Sequence, residues 1–261
     1  MKKIKFTKMV GSGNDFVVIS GKLSGNLPRL ARILCKRKFG IGADGLLLLD
    51  KCRNADLRMR IFNADGSEAE MCGNGSRCAA FLSGKAKVKL LTLAGIINAE
   101  VYGNRVKVQL TTPKDIKLDI PLIAGDRLVK VNFINIGVPH VVIFVNEIDG
   151  INVKHIGCSI RNHKLFSPRG TNVNFVEEVG KNIIRIRTYE RGVEDETLAC
   201  GTGSTAAALI FALKNNLDNL IKVQTQSGET LKITFQKEAG EFRKVWLEGS
   251  VEIVYKGEYY V

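Results

Sequence analysis

Two cysteines of this chain stand directly ahead of helix-forming segments, where a thiol can react. Cys72 lies in "EAEMCGNGSRCAAF" (residues 68–81) and Cys200 lies in "ETLACGTGSTAAALIFAL" (residues 196–213). The unpaired N–H groups and partial positive charge at a helix N-terminus bind anions and stabilise a thiolate, which lowers the pKa of the cysteine. The glycines that follow let a ligand approach the backbone closely. Each segment therefore predicts a reactive thiol beside a site for a carboxylate or a phosphate.

The two segments are copies of one motif, 128 positions apart in a chain of 261 residues. The shared residues are Glu68, Cys72, Gly73, Gly75 and Ser76 in the first half and Glu196, Cys200, Gly201, Gly203 and Ser204 in the second. A single Cys-Gly-x-Gly ahead of a helix is more often a structural turn with a buried thiol. Two copies that keep these residues while most other positions differ favour a functional pair.

Patterns outside the motif also repeat and predict a duplicated α+β fold. "GNDFVVI" (13–19) matches "GVPHVVI" (137–143), and alternating apolar residues predict strands before and after both cysteine motifs. Further helices are predicted over 27–39 and 152–164. We expect two similar β-rich domains, each with a central helix, related by a pseudo-twofold axis with the active site in the cleft between them.

The domain boundary is predicted within "TTPKDIKLDIPLIAGD" (111–126), where two prolines and several charges interrupt the strand pattern. The first domain is predicted to comprise residues 1–115 together with a C-terminal strand over 250–261. The second is predicted over 116–249. Each domain then carries one of the two motif cysteines.

Two thiols that face each other across such a cleft can invert a carbon that carries an acidic proton. One thiolate removes the α-proton from one face of an amino acid, and the opposing thiol delivers a proton to the other face. The two helix N-termini hold the α-carboxylate and stabilise the negative charge that develops on it. The arrangement is therefore suited to racemisation or epimerisation.

The composition argues against several other classes of protein. The net charge of +13 comes from lysines and arginines spread along the chain without a basic tail, so we expect no nucleic-acid partner. No apolar stretch is long enough for a signal peptide or a membrane span, which predicts a soluble, cytoplasmic protein without a membrane partner. Six cysteines without C-x-x-C spacing and three histidines predict no metal site. "GSGNDF" lacks the third glycine and the helix of a nicotinamide site, so we expect no cofactor.

Three segments closely resemble signatures of the diaminopimelate epimerase family. They are "KMVGSGNDFVVIS", "NADGSEAEMCGNGSRC" and "YERGVEDETLACGTGSTAAA", and their order and spacing hold over the whole chain. The resemblance implies an enzyme of lysine and peptidoglycan biosynthesis that interconverts LL- and meso-2,6-diaminopimelate without pyridoxal phosphate. It also implies two similar domains, a cytoplasmic location, a homodimer, and a small amino acid as the bound partner.

The resemblance assigns roles to single residues as well. Cys72 and Cys200 would be the acid/base pair, and His140 and Glu190 would tune the thiols or relay protons to them. The first turns of both cysteine helices would bind the reacting α-carboxylate, and Arg191 is suited to clamping a carboxylate. The residues implied to contact the substrate are Asn14, Asn63, Gly73, Asn74, Asn172, Glu190, Arg191, Gly201 and Thr202.

Three positions depart from the family pattern. Val10 stands where the family often has His, and Val138 replaces the amide of Asn-Pro-His. "RGVEDET" is one residue longer and more acidic than "RGVGET", which is expected to alter the approach to the Cys200 turn. The missing amide at position 138 predicts weaker discrimination against shorter acidic amino acids.

Two other functions stay open at this point. The first is a related cofactor-independent racemase with relaxed specificity, acting for example on glutamate. Proline racemases share the second Cys-Gly-Thr-Gly turn but lack "GNDF" and "NADGSEAEMCGNG". The second is an inactive amino-acid-binding protein, which would need the helix N–H groups but not the thiols.

Overall fold

A computed structural model describes residues 3–124, 127–238 and 240–260. The chain divides into two compact units. Unit 1 comprises Met1–Gln109 and Glu248–Val261, and unit 2 comprises Leu110–Leu247. The chain therefore crosses from unit 1 to unit 2 and later returns.

The elements follow one another as alternating groups of strands and single helices. Unit 1 begins with β1 (Lys3–Gly11), β2 (Asn14–Ser20), α1 (Leu27–Cys35), β3 (Gly45–Asp50), β4 (Leu57–Asn63), β5 (Glu68–Ala69), α2 (Gly73–Leu82), β6 (Lys87–Thr92), β7 (Gly95–Tyr102) and β8 (Arg105–Gln109). Unit 2 contains β9 (Lys114–Ala124), β10 (Arg127–Asn135), β11 (Pro139–Phe144), α3 (Val153–Arg161), β12 (Asn172–Gly180), β13 (Ile183–Glu190), β14 (Asp195–Thr197), α4 (Gly201–Lys214), β15 (Leu220–Gln224) and β16 (Thr230–Glu238). Short 3-10 turns cover Ile148–Gly150 and Lys164–Phe166, and the chain continues through β17 (Glu241–Ser250) and β18 (Glu252–Tyr260).

Strand pairing follows the same scheme in both units, which confirms the duplicated β-rich fold. Parallel neighbours β2 and β3 are joined through α1, and parallel neighbours β11 and β12 are joined through α3. Strand β4 pairs antiparallel with β3 and parallel with β6, just as β13 pairs antiparallel with β12 and parallel with β15. Short strands β5 and β14 then lead into the two cysteine helices.

The two cysteine helices are the central helices of their units. Helix α2 packs against β1–β4 and β6–β8, and α4 packs against β10–β13, β15 and β16. Helix α4 carries apolar or small side chains on every face, a pattern typical of a helix buried all round. Its run from Ala206 to Ala212 is fully buried. Each of the two motif cysteines thus begins a helix that is surrounded by the strands of its unit.

Most of the segment 111–126, in which the domain boundary is predicted, forms strand β9 instead of interrupting the strand pattern, and residues 125 and 126 lie outside the described residues. Strand β9 pairs antiparallel with β10 in unit 2, with Pro121 opposite Lys130. Proline lacks an N–H, but a strand can still accept it where the missing donor is not required by a neighbour. Leu122 is buried in the core of unit 2, so apolar packing outweighs the strand-breaking tendency of the nearby prolines and charges.

Both predicted flanking helices are shorter than the sequence suggested. Helix α1 ends at Cys35 instead of 39, because the chain turns back with Gly40 N donating to Lys36 O at 2.7 Å and Lys38 adopts a φ of 76°. Helix α3 spans Val153–Arg161 instead of 152–164 and is capped by the backbone N–H of Asn162. The turn after α1 brings a basic side chain to the candidate site of unit 1.

Strand β18 completes the sheet of unit 1. It pairs antiparallel with β1 along its length, from Lys3 opposite Tyr260 to Val10 opposite Glu252. The two ends of the described chain therefore lie in neighbouring strands of one unit.

Candidate active site

Cys72 occupies the N-cap position of helix α2. Its backbone is extended, with φ −140° and ψ 121°, while Gly73 begins the helix. The sulfur accepts a hydrogen bond from Gly75 N at 3.5 Å, and Ser76 N donates to the Cys72 carbonyl at 2.8 Å. A thiol therefore fills the position that Ser, Thr, Asp or Asn usually holds.

Cys200 has the same geometry at the start of helix α4. Its φ is −117° and its ψ is 112°, and Gly201 begins the helix. The sulfur accepts from Gly203 N at 3.4 Å and lies 3.6 Å from the Thr202 hydroxyl oxygen. Ser204 N donates to the Cys200 carbonyl at 2.8 Å. The duplicated motif thus produces two equivalent N-cap thiols.

This geometry favours the negatively charged form of each sulfur. An N-cap atom lies in the positive field of the helix, and a thiolate accepts the N–H bond more strongly than a thiol does. The first amides of each helix, at Gly73, Asn74, Gly201 and Thr202, have no acceptor within their own helix. They are available to an anion such as a carboxylate.

A chain of oriented polar groups supports the Cys72 helix. Asn74 is buried, its Nδ2 donates to Asn14 Oδ1 at 2.6 Å, and Asn14 Nδ2 donates to Asp44 at 3.1 Å. From the other side, the fully buried Arg77 guanidinium donates to Asn74 Oδ1 at 3.0 Å and to Ser12 Oγ. The chain fixes which amide atoms Asn14 and Asn74 can offer to a ligand.

The end of this chain is anchored by an ion-pair network. Asp15 pairs with Lys8 at 2.6 Å and with Arg37 at 2.8 Å, and Arg37 also pairs with Asp44 at 2.8 Å. Burial raises the pKa of Asp15, but the hydrogen bonds and charges of Arg37 and Lys8 outweigh this effect. The pKa is lowered overall, so the carboxyl stays ionised. The predicted contact residue Asn14 is therefore held in one orientation.

Asn63 stands at the exposed end of β4, in the turn that precedes β5. Its Nδ2 donates to Ser67 Oγ at 2.9 Å, and its backbone N–H donates to the Ser67 carbonyl at 2.8 Å. Ser67 Oγ donates in turn to Asp65 at 2.6 Å. The contact of Asn63 with substrate remains a prediction.

In unit 2, Asn172 connects several of the predicted site residues. Its Nδ2 donates to Pro139 O at 3.1 Å, and its Oδ1 accepts from the Arg191 backbone N–H at 2.9 Å. The parallel register places His140 opposite Asn172. Asn172, Arg191 and His140 are thus brought to one end of neighbouring strands.

Glu190 ends strand β13, just before this turn. Its carboxylate accepts from Thr197 Oγ1 at 3.0 Å, and Thr197 lies in β14, which leads directly to Cys200. The contact links Glu190 to the segment that carries the thiol. Its predicted role in proton relay is not tested by this contact.

Arg191 lies in a group of cationic side chains. Its guanidinium and that of Arg161 both donate to the Arg169 carbonyl, at 3.3 and 3.4 Å. Burial, and then the charges of Arg161 and Arg169, lower the pKa of Arg191. A site with this excess of positive charge suits a carboxylate ligand.

The acidic loop after Arg191 turns its charges towards helix α3. Glu194 pairs with Arg161 at 3.0 Å, and Asp195 pairs with Lys154 at 2.8 Å. Glu194 also accepts from Gly192 N at 3.0 Å. Two of the three acids of the longer "RGVEDET" loop therefore bind basic residues of α3.

His140 is fully buried behind the Cys200 helix. Its Nδ1 lies 3.3 Å from the amide nitrogen of Asn174, another fully buried residue, which also donates to Val141 O at 2.8 Å. Asn174 Oδ1 accepts from Thr188 Oγ1 at 3.0 Å. A Cβ built on Gly203 would overlap Asn174 Oδ1 and lie 3.3 Å from Cys200 Sγ. The Asn174 amide and the thiol therefore lie on the same side of the helix start.

Sequence analysis missed Arg77, Asp44 and Asn174. Asn174 had a usable signal, since it stands two residues after Asn172 in the strand "NVNFV" and alternation places both on one face. Arg77 is a charge in the middle of a short, otherwise neutral helix, and its equivalent in the second motif is Thr205, which donates to Gly201 O at 3.0 Å. The two halves therefore differ behind their N-cap thiols.

Comparison with known proteins decides the family. A sequence model described as "Diaminopimelate epimerase" matches residues 6–116 and 132–254. A diaminopimelate epimerase of Aquifex aeolicus is 46% identical, with 97% of each chain covered, and one of Hydrogenobaculum sp. is 43% identical with 96% of each covered. The chain belongs to the diaminopimelate epimerase family.

Solved structures with lower identity share the fold of this diaminopimelate epimerase family member. A phenazine biosynthesis protein of the PhzF family from Bacillus anthracis matches with a TM-score of 0.77 and 16% identity, covering 100% of both chains. A probable proline racemase from Agrobacterium radiobacter, solved with bound carbonate, matches with a TM-score of 0.74 and 18% identity over 99% of this chain and 92% of that one. These likenesses establish the fold alone.

Membrane-spanning helices and metal-binding groups were also sought among the described residues. No helix is both long and apolar enough to cross a bilayer. Within the ranges 3–124, 127–238 and 240–260, no group of three or more His, Cys, Asp or Glu side chains is placed to hold a metal ion.

The buried histidine makes the stability of this family member depend on pH. Burial, and then the charge of Arg191, lower the pKa of His140 from 6.5 to about 3. Between these values the unfolded state binds a proton that the folded state does not, so stability is lost as the pH falls through this window. We expect the free energy of unfolding to fall by about 1.4 kcal/mol more in the wild type than in His140→Gln between pH 7.5 and 5.5. Urea denaturation of both proteins measures this difference, and parallel losses would contradict a neutral buried His140.

Proposed function

We propose that the chain interconverts LL- and meso-2,6-diaminopimelate, using Cys72 and Cys200 as the acid/base pair. The observation that carries the proposal is the pair of equivalent N-cap thiols in a member of the diaminopimelate epimerase family. Binding alone would require only the helix N–H groups. Retention of a sulfur at both caps supports chemistry at the sulfur.

Each turnover moves one proton from carbon to sulfur and one from sulfur to carbon. One cysteine, as thiolate, takes the α-proton from one face, and the electron pair of the C–H bond is delocalised into the α-carboxylate. The other cysteine, as thiol, gives its proton to the opposite face of the same carbon. The sulfurs exchange protonation states, so the reverse reaction uses the same groups.

The reacting carboxylate is proposed to bind to the free amides of Gly73, Asn74, Gly201 and Thr202. These amides are already oriented by the helices, so negative charge that develops on the carboxylate meets fixed dipoles and requires no reorganisation. The oriented amides of Asn14 and Asn74 support this assignment in unit 1.

The remote end of diaminopimelate carries a second amine and carboxylate. We assign Arg191 to that carboxylate because its guanidinium lies in a strongly cationic group. Asn63, Asn172 and Glu190 complete the proposed set of substrate contacts. A cytoplasmic location, a homodimer and independence from cofactors are parts of the same proposal.

Solvent deuterium incorporation tests this function against its alternatives. The purified protein is incubated in D₂O with LL-diaminopimelate, meso-diaminopimelate, glutamate or proline, and deuterium at Cα and the stereoisomer ratio are measured. We expect inversion of diaminopimelate with one deuterium at the reacting carbon. Inversion of glutamate or proline instead would establish a different racemase, and binding without exchange would establish an amino-acid-binding protein.

Val138 provides a separate test of substrate discrimination. It lies in the turn before His140, with its carbonyl accepting from Ile136 N at 3.0 Å, and its side chain cannot hydrogen-bond to a substrate. One missing bond to a charged group costs roughly tenfold to a hundredfold in discrimination. We expect measurable racemisation of glutamate and a higher ratio of kcat/KM for diaminopimelate over glutamate in Val138→Asn. An unchanged ratio, or no turnover of glutamate, would show that Val138 only packs.

A further inference from the structure

The turn after β13 holds Glu194 in a backbone conformation that a residue with a side chain disfavours. The φ of Glu194 is 59° and that of Gly192 is 93°, both in the left-handed region that glycine adopts freely. Glu194 N donates to the Glu190 carbonyl at 2.9 Å, which closes the turn. A glutamate persists in this conformation only where its surroundings hold it there. The contacts of its side chain supply that restraint.

The carboxylate of Glu194 connects the turn to α3 and to β13. Its Oε1 accepts from Gly192 N at 3.0 Å and from Arg161 Nε and Nη2 at 3.2 and 3.0 Å. Its Oε2 accepts from the Tyr189 hydroxyl at 3.2 Å. One side chain therefore fixes both the backbone amide that follows Arg191 and the guanidinium of Arg161.

Two guanidiniums meet at one oxygen beside this turn. Arg161 Nη1 and Arg191 Nη1 donate to the Arg169 carbonyl at 3.4 and 3.3 Å, so their like charges lie close together. Glu194 forms its ion pair with Arg161, at 3.0 Å. The pair neutralises one of the two cations, which leaves the charge of Arg191 available to a ligand.

We propose that Glu194 is a positioning residue for Arg191. It holds the turn in its left-handed conformation and keeps Arg161 paired, so that Arg191, and not Arg161, receives the distal carboxylate of the substrate. The part that concerns substrate rests on the proposed function, whereas the conformation of the turn does not. Glu194 then contributes to substrate binding and takes no part in proton transfer at the reacting carbon.

Glu194→Gly and Glu194→Gln test this role by kinetics. Glycine removes the side chain but adopts the left-handed backbone without strain, so it isolates the loss of the carboxylate. We expect KM for diaminopimelate to rise about fivefold to twentyfold while kcat changes less than about twofold. Glutamine keeps an oxygen for Gly192 N and Arg161, so its KM should stay within about threefold of the wild-type value. A wild-type KM in Glu194→Gly, or a loss that appears in kcat, would overturn the proposal.

The effect of Glu194 should depend on the guanidinium that it positions. In an Arg191→Met background, the further change Glu194→Gly should lower kcat/KM less than about twofold. The same fivefold to twentyfold loss in that background would show that Glu194 acts elsewhere.

Asp195→Asn is the matched control. It removes one negative charge from the same loop and breaks an ion pair with the same helix, through Lys154 at 2.8 Å, but leaves the pair of Glu194 with Arg161 in place. We expect its KM to stay within about twofold of the wild-type value. A rise equal to that of Glu194→Gly would mean that the net charge of the loop, and not the position of Arg191, controls binding.

Hydrogen exchange of the Gly192 amide measures the turn independently of activity. This N–H donates to Glu194, so NMR should show it exchanging at least about tenfold faster in Glu194→Gly than in the wild type. It should stay protected in Glu194→Gln and in Asp195→Asn. Unchanged exchange in Glu194→Gly would overturn the positioning role. Absence of epimerisation in the wild type would instead refute the proposed function, while the exchange rates still decide what holds the turn.

Discussion

Replacing either Cys72 or Cys200 by alanine should abolish epimerisation. Loss of one general acid or base typically costs 10²- to 10⁴-fold in rate. Here the loss should reach the background, because each turnover needs one group on each face of the carbon. Removing both cysteines should therefore cost hardly more than removing one. Stereoisomer ratios measured over time with LL-diaminopimelate provide the readout.

The fold should survive these substitutions. Alanine at an N-cap loses the capping hydrogen bond from Gly75 N or from Gly203 N, and loss of a cap typically costs about 1 kcal/mol of stability. Cys52→Ala is a suitable control, since the Cys52 side chain is partly exposed and its thiol donates to Ala55 O at 3.4 Å. Near wild-type turnover in either N-cap variant would refute the two-thiol mechanism.

Gly203→Ala should strongly impair both stability and activity. The new methyl group would overlap Asn174 Oδ1 and lie 3.2 Å from Cys200 Cβ. Alanine gains up to about 1 kcal/mol in helix propensity over glycine. Overpacking in a tight core costs about 1–3 kcal/mol, and Asn174 is fixed by its own hydrogen bonds and cannot move away. The steric cost should win, with kcat/KM reduced at least tenfold through the displaced thiol.

Two matched glycines make the second prediction sharper. Gly75→Ala lies at the equivalent position in α2, where the new carbon meets the side-chain ends of Leu47 at 3.1 Å and Ile61 at 3.4 Å. Those apolar side chains can shift, so its loss should be smaller. Gly150→Ala meets nothing within 4 Å and should be neutral. The melting temperature and kcat/KM should therefore be highest in Gly150→Ala, lower in Gly75→Ala and lowest in Gly203→Ala. Equal effects at Gly75 and Gly203 would show that Asn174 does not obstruct the new methyl group.

The features that sequence analysis predicted well are those carried by local patterns. Alternating apolar residues predicted most strands, and the Cys-Gly-x-Gly repeats predicted both helix starts because glycine, capping and helix propensity act within a few residues. The segment around Pro121 was misjudged because its strand is held by pairing with β10, which lies later in the chain. Local signals do not report such pairing.

The burial and the contacts of the site residues could not be predicted from the sequence either. His140 was chosen from a family pattern, but its burial and its contact with Asn174 depend on the register of three strands, β11, β12 and β13. Two acids of the loop after Arg191, Glu194 and Asp195, pair with α3 across 33 and 41 positions of sequence, and nothing in the loop's own sequence indicated this. Long-range geometry of this kind appears only once the strands are aligned.

The pairing of β1 with β18 affects the order in which the protein can fold during synthesis. Unit 2 is continuous, from Leu110 to Leu247, and contains strands β10–β13, β15 and β16, against which its cysteine helix packs. Unit 1 is interrupted, and β1 must wait for a strand that the ribosome makes only after unit 2 has emerged. Until then β1 exposes an unpaired edge, the kind of surface on which nascent chains associate with one another. The half of the molecule translated first is therefore the half completed last.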